Sequence, residues 1–490
     1  MAKRVSVIDI GSNSIRMVVY EKTSRYAFHL LHEEKSKVRI SQNAYKFDGA
    51  LQEEPMQRTF DALRDFITIS KSFKSKKLLC VATSALRDAP NQKEFLKKVK
   101  DKLKVDIKII SGEKEAYFGG IACANLLPEQ KSALSIDIGG GSTEFSYINK
   151  KNVSNTISLK LGTVRLKELY FDNGDIKGAT KYIDSQLEKL SIQEEIDSLI
   201  GIGGTFRALS SAIMQNSDYP LKRLHAYTYP TSIFDVFISN VLCANDQELQ
   251  LLGIKHNRLD VIKPGTLILQ RVLKRLNVNN IITSGVGVRE GVYLSDLLRT
   301  SAHKFPHNYN TSVKYLLDSH LNDTSFSTQL NTLSKKLFDL THEFLNIDKK
   351  YRYELAIAAK VYPTGSNVHF FSQNKHTYYL IQNVLEYGFT HESNTLIATL
   401  CKYAKNRLPA ASHLTKYAEL LPQERTTNAL SYLLSLSISL LSHRPLNIDF
   451  EMRFEDGVLK IDSKKTLYIS KVAVSKLECN NRAFEIRFNS

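Results

Sequence analysis

Apolar positions along this chain follow two rhythms, short runs of strand length and longer stretches of helical period, and the two interleave over the first 300 residues. Residues 5–10 form an apolar run that ends in Asp9-Ile-Gly-Ser-Asn-Ser14, and residues 134–138 form another that ends in Asp137-Ile-Gly-Gly-Gly-Ser-Thr-Glu144. Each reads as strand, tight turn, strand. Residues 14–20 and 25–40 extend the first into a three-strand meander, and the second begins alike. An amphipathic helix is predicted to residue 73, with Pro55 at its first position. The nearly continuous apolar run 78–83 predicts a strand buried on both faces, which delivers Ser84-Ala-Leu-Arg87 to its carboxyl end. A lysine-rich helix over 92–103 and a strand over 105–110 lead to Ser111-Gly-Glu-Lys-Glu-Ala116, where Ser111 has the chemistry of an N-cap. A strand over 196–202 enters Gly201-Ile-Gly-Gly-Thr205, and helices follow over 205–214, 231–242 and 261–276. Asn280 then opens a fourth apolar run that ends in glycines and Arg289. Strands alternating with helices imply α/β architecture with mostly parallel sheets, and the repeated first turn implies duplication.

Beyond residue 300 the rhythm becomes helical, with apolar periodicity at 330–345, 353–361, 378–387 and 429–441. Strand alternation returns at 447–454 and 458–461 around the hairpin signal Glu455-Asp-Gly457, and again at 483–488. Four segments are therefore expected: 1–125, 126–300, a helical 301–445 and a small β-rich tail 446–490.

Composition narrows the class. A hydrophobic fraction of 42% and a charged fraction of 24% are those of a soluble globular protein, and the most apolar segment, 429–441, is too short and serine-interrupted to span a bilayer. Met1-Ala-Lys-Arg4 enters the first strand with no leader resembling a signal peptide, so a cytoplasmic location and no membrane partner are expected. Cys80, Cys123, Cys243, Cys401 and Cys479 are widely spaced, which disfavours a disulfide framework or a zinc site and suits buried, reduced thiols. The net charge of +17 is concentrated before residue 125 and after residue 300, a field that steers polyanions, although the lysines of 93–104 also fit a solvated helix face. Charge alone does not separate polyphosphate from nucleic acid.

The glycine turns carry the candidate chemistry. Consecutive glycines leave no Cβ in the way of an anion, so the N–H groups of Gly140, Gly141 and Ser142 form a cradle for phosphate oxygens. Four such turns imply one shared polyphosphate cleft. Glu113 and Glu115 sit where a helix dipole favours acids in any protein, which leaves capping and catalysis both open. Gly285 to Gly291 does not have dinucleotide-fingerprint spacing, and neither a phosphate loop ending in Gly-Lys-Ser/Thr nor a His-Glu-x-x-His zinc motif occurs.

Together, Asp9 to Ser14, Ser84 to Arg87, Ser111 to Ala116, Asp137 to Glu144, Gly201 to Thr205 and Val288-Arg-Glu-Gly291 resemble the exopolyphosphatase / guanosine pentaphosphate phosphohydrolase family, of the superfamily of sugar kinases, actin and heat-shock ATPases. The resemblance implies two duplicated actin-like, ribonuclease H-like domains around a cleft, followed by a third domain similar to metal-dependent HD phosphohydrolases. It implies Glu115 as base, with Arg87, Asp137 and Glu144 completing the catalytic set. Phosphate binding falls to Ser12, Asn13, Ser14, Arg16, Gly139, Gly140, Gly141, Ser142, Gly203, Gly204, Thr205 and Arg289, and Mg²⁺ or Mn²⁺ to Asp9, Asp137 and Glu144. The implied substrates are inorganic polyphosphate and guanosine pentaphosphate, in a homodimer that does not bind nucleic acid. A small-molecule kinase and a non-catalytic polyphosphate or alarmone sensor are the alternatives. In Ala358-Ala-Lys-Val-Tyr-Pro-Thr-Gly365, Tyr362 and Pro363 stand where an HD site needs its His and acid, so no second centre is expected there, and His369, His376 and His391 read as surface or packing residues.

Overall fold

A computed structural model describes residues 4–192, 194–404, 407–477 and 483–489. The leader reading at residues 1–3 and the expectation for Cys479 lie outside the described residues. The chain forms two compact units, Met1–Tyr309 and Asn310–Ser490.

In the first unit, β1 (Arg4–Ile10), β2 (Ile15–Lys22) and β3 (Phe28–Ser36) form an antiparallel meander. Helix α1 (Glu53–Ser72) returns the chain so that β4 (Lys77–Ala82) pairs parallel with β1. The one-turn α2 (Ser84–Arg87), then α3 (Gln92–Leu103) and β5 (Lys108–Ile109), complete a sheet ordered β3-β2-β1-β4-β5. Helix α4 (Gly112–Leu126) leads into a second meander, β6 (Gln130–Ile138), β7 (Thr143–Lys150) and β8 (Asn152–Leu159). After α5 (Thr163–Leu169) and α6 (Ile176–Leu187), β9 (Ser198–Ile202) joins β6 in parallel. Then come α7 (Gly203–Asn216), β10 (Tyr227–Pro230), α8 (Thr231–Cys243), α9 (Asp246–Leu251), α10 (Leu259–Arg275), β11 (Asn280–Thr283) and α11 (Val288–Leu297), giving the order β10-β11-β9-β6-β7-β8. Both sheets start with a meander and grow by parallel strands on the other side of the first strand, the second sheet ending in β10, antiparallel to β11. The duplication is thus visible in topology as well as in sequence.

Local departures have local causes. Pro55 is the third residue of α1, because Glu53 and Glu54 already form its acidic first turn. Strand β4 is buried only over Cys80, Val81 and Ala82, since β5 pairs with Val81 and Ala82 alone and leaves its start uncovered. For the same reason the strand expected over 105–110 is two residues long. Helix α4 is buried on nearly every side, which its glycines and alanines permit: a Cβ on Gly120 would lie 2.5 Å from Ser146 Oγ of β7. Gly291 of α11 rests on α4 so closely that a Cβ there would lie 1.9 Å from the Phe118 carbonyl oxygen.

The second unit contains α12 (Thr311–His320), α13 (Ser325–Thr341), α14 (Arg352–Val361), α15 (Gln373–Val384), α16 (His391–Tyr403), α17 (Ala411–Lys416) and α18 (Glu424–Leu440). A three-stranded sheet follows from β12 (Glu451–Glu455), β13 (Val458–Asp462) and, beyond α19 (Tyr468–Ser475), β14 (Glu485–Asn489). Asp456 and Gly457 both have positive φ, the pairing a tight hairpin needs. The tail is not a separate body: Phe450, Met452, Leu459 and Ile461 share one core with Leu333, Leu337, Leu400 and Leu433 of the helices. Tyr362 and Pro363 are buried in a 3-10 turn, His391 is buried at the start of α16, His376 is half-buried and His369 is exposed. No helix among the described residues is long and apolar enough to cross a membrane.

Candidate active site

The two meanders present equivalent turns to one cleft. Gly11 N–H donates to the Ser14 carbonyl at 3.2 Å, and Gly139 N–H to the Ser142 carbonyl at 3.0 Å. Behind these turns Asp9 pairs in register with Arg16, and Asp137 with Glu144. The turns approach closely, for a Cβ on Gly140 would lie 2.8 Å from Ser12 Cβ. Ser12, Asn13, Ser14, Gly139, Gly140, Ser142, Gly203, Gly204 and Thr205 all line the cleft, as expected. Gly141 does not line it: its missing Cβ makes room instead for Tyr45 Oη and Ser84 Oγ, 2.4 and 2.6 Å from where that atom would be. Gly203 has a φ of +90°, which lets α7 start directly beneath Asp137.

Glu115 enters the cleft from the first turn of α4. Ser111 Oγ accepts from Lys114 N–H at 3.2 Å and fixes that turn, while Glu113, two residues earlier than Glu115, is exposed. Arg87 of α2 donates to Glu115 Oε2 and to the Ile110 carbonyl, both at 3.0 Å. Arg87, expected in the catalytic set, thus has its side chain engaged with Glu115 and stands behind the residues that line the cleft. Across from it, Glu144 accepts from Ser158 Oγ at 2.7 Å. Burial pushes Glu115 well above the ordinary carboxylate range and the charge of Glu144 adds to this, against the pull of Arg87. Burial likewise raises Glu144, opposed by hydroxyl donors from Ser142 and Ser158, and brings Asp137 to about 6 against the attraction of Arg207. Asp9 is raised by burial, with Arg289 and Arg16 opposing.

Cations line the same cleft. Arg16 and Arg289 line the cleft as anticipated, and Lys35, Arg207 and Arg258 join them without having been singled out. Lys35 was legible in principle, being the register partner of Arg16 on β3. Arg207 staples two glycine turns by donating to the carbonyls of Gly203 and Gly285, each at 3.0 Å. Arg258 comes from the loop before α10, where no local pattern marks it; a Cβ on Gly204 would lie 2.3 Å from its guanidinium. Burial and then the neighbouring Arg289 and Arg207 lower Arg16 to about 10, and burial with Arg16 and Arg258 lowers Lys35 to about 8. This excess positive charge is what a polyanion neutralises.

Asp9, Asp137 and Glu144 all line the cleft, and Asp9 Oδ1 is buried without a hydrogen-bond partner, as suits a cation ligand. Among the described residues, however, no three His, Cys, Asp or Glu side chains converge as a ready metal shell. Asp137 and Glu144 face each other across adjacent strands, and Asp9 stands on the first strand of the other meander.

A family model described as Ppx/GppA phosphatase family matches residues 18–300, and one described as Ppx/GppA phosphatase, domain III, matches residues 310–471. The chain belongs to the Ppx/GppA phosphatase family. A Ppx/GppA relative from Photobacterium profundum, a guanosine-5'-triphosphate,3'-diphosphate pyrophosphatase, is 27% identical over 415 residues, 82% of this chain and 80% of its own. The bifunctional 3-dehydroquinate synthase/phosphatase of Fusobacterium nucleatum is 32% identical over 298 residues, and the chain spans only 44% of that protein's length. Among solved structures, an exopolyphosphatase from Cytophaga hutchinsonii superposes with a TM-score of 0.56 at 26% identity, covering 60% of this chain and 98% of that one. The Ppx/GppA family member from Aquifex aeolicus gives 0.53 at 26% identity, covering 61% and 99%.

Proposed function

We propose that the protein is a phosphoanhydride hydrolase that releases orthophosphate from the end of inorganic polyphosphate, from guanosine pentaphosphate, or from both. The observation that carries this reading is Glu115: a buried carboxylate brought towards neutrality, held by Arg87, facing glycine turns that offer backbone N–H groups to an anion. A general base works best when its pKa approaches the working pH. In this scheme the turns at Ser12 and Gly140 hold the terminal phosphoryl oxygens, and the cations around Arg16 hold the rest of the chain. Glu115 accepts the proton of a water that attacks the terminal phosphorus. The bond to the bridging oxygen breaks, and the shortened chain keeps that oxygen. Arg87 orients Glu115 and opposes the protonation that burial favours.

Asp9, Asp137 and Glu144 are the oxygen donors that would hold a hard divalent cation, Mg²⁺ or Mn²⁺, in this cleft. Such a cation, when bound, screens the charge of the phosphate chain. The test is incubation with long-chain polyphosphate and, separately, guanosine pentaphosphate, with Mg²⁺ or with chelator, following orthophosphate. Release with Mg²⁺ and none in chelator is expected. Transfer to an added acceptor in place of release would mark a kinase, and binding without release a sensor.

A further inference from the structure

One carboxylate already sits among the cleft's cations. Glu33, on the edge strand β3, accepts from Arg289 Nη1 at 2.6 Å, and the same oxygen, Oε1, lies 3.8 Å from Arg16 Nη1. A single oxygen shared by two guanidiniums is the position a phosphate oxygen takes. The two partners differ in setting. Arg289 is fixed, its side chain only 8% exposed, whereas the side chain of Glu33 is 42% exposed. Among the described residues no hydrogen bond holds the Glu33 carboxylate from behind, so it can rotate into water without leaving a buried group unpaired.

Resting on the reading of the cleft as a site for linear phosphates, we propose that Glu33 is an internal competitor for substrate: its carboxylate occupies Arg289 and Arg16 when the cleft is empty, and an incoming phosphate chain must displace it. Nearby charges suit that role. Lys35, Arg207 and Arg258 face the same space, where Asp9, Asp137 and Glu290 offset part of the arginines' mutual repulsion and Glu33 adds an anion that substrate can replace. The attraction of Arg289 and Arg16 outweighs partial burial and keeps Glu33 below the ordinary carboxylate range, so it is ionised whenever the cleft is empty at working pH. The displaced carboxylate returns to Arg289 and Arg16 when the product leaves. Affinity is thereby set below what the cations alone would give, which favours release of a shortened chain over its retention.

The opposite assignment, that Glu33 orients Arg289 for substrate, predicts the opposite sign, and affinity separates the two. Tripolyphosphate is titrated calorimetrically, with Mg²⁺, into the full chain carrying Glu115→Gln so that the ligand stays intact, with and without Glu33→Gln. Loss of the competing charge-assisted bond should tighten the dissociation constant by about tenfold. Glu33→Asp, one methylene short of Arg289, should shift it the same way by less, and stands in if the glutamine variant does not fold. Unchanged or weaker binding in both Glu33 variants overturns the competitor role while leaving the phosphate site intact. Absence of binding with and without the Glu33 change overturns the phosphate-cleft reading and this inference with it.

Discussion

Asp9 and Asp137 occupy the same place in two copies of one turn, yet the residue opposite each differs: Arg16 in the first copy, Glu144 in the second. A single exchange of charge between duplicates thus sets a cation opposite the acid of one turn and a second acid opposite that of the other. Glu115→Gln keeps shape while removing the proton acceptor, so turnover should fall by ~10²–10⁴-fold with tripolyphosphate affinity retained. Exposed Glu113→Gln should cost only ~0.3–1 kcal/mol of stability through the helix dipole and leave turnover near wild type. Rates and melting temperatures measured side by side decide between them. Glu144 supports a second prediction. Its folded pKa is raised from 4.5 to about 8, so its favourable contribution is complete below pH 4.5 and is lost as pH rises through about 8. Glu144→Gln, which still accepts from Ser158, should therefore melt above wild type at pH 8 and lose that advantage as pH approaches 4.5, at the expense of turnover. Parallel scans across that range in metal-free buffer test it.

At the scale of elements, most strands and helices were legible because their apolar spacing and their ends agree. The helix over 92–103 and the glycine-ended strands are examples, since strand length and turn chemistry are both local properties. The short β5 and half-covered β4 were not legible, for their extent is set by each other rather than by their own residues. The nearly complete burial of α4 was also hidden, because a helix of glycine and alanine carries little amphipathic signal and is recognised only by what encloses it. The same held in the site: the glycine cradles and Glu115 belong to contiguous motifs, whereas Arg258 and Glu33 reach the cleft through tertiary contacts. Glycine geometry gives a testable contrast. Gly174 has a φ of +71° with nothing within 4 Å, so Gly174→Ala should cost about 1 kcal/mol of backbone strain alone. Gly203→Ala adds a Cβ 2.5 Å from Asp137 Oδ1, and should cost more in urea unfolding and also reduce turnover.

At the scale of the molecule, Asn310–Ser490 has a core of its own in which helices and terminal sheet share residues. Cutting at 309/310 should therefore leave residues 1–309 folded, with cooperative melting and hydrolysis of tripolyphosphate within a few-fold of the full chain. Long-chain polyphosphate should be degraded less processively by the fragment, as judged by the intermediates that accumulate on a gel. A fragment that melts cooperatively but has lost tripolyphosphate hydrolysis would place essential chemistry in the second unit. A break inside 446–490, by contrast, should unfold the helices of that unit as well, because Phe450, Met452 and Leu459 fill their core.

The contact of Gly291 with the Phe118 carbonyl acts like the rivet of a pair of scissors. Where two helices touch with no side chain between them, relative rotation has its smallest radius there, and displacement grows along each arm. Glu115 stands three residues from the rivet on one helix and Arg289 two residues from it on the other, about 4.5 and 3 Å along their axes. Any opening or closing of the two sheets about this point moves the outer lips far more than it moves these two side chains. Glu115 and Arg289 sit close to the rivet, so their spacing is the part of the cleft that such a rotation changes least.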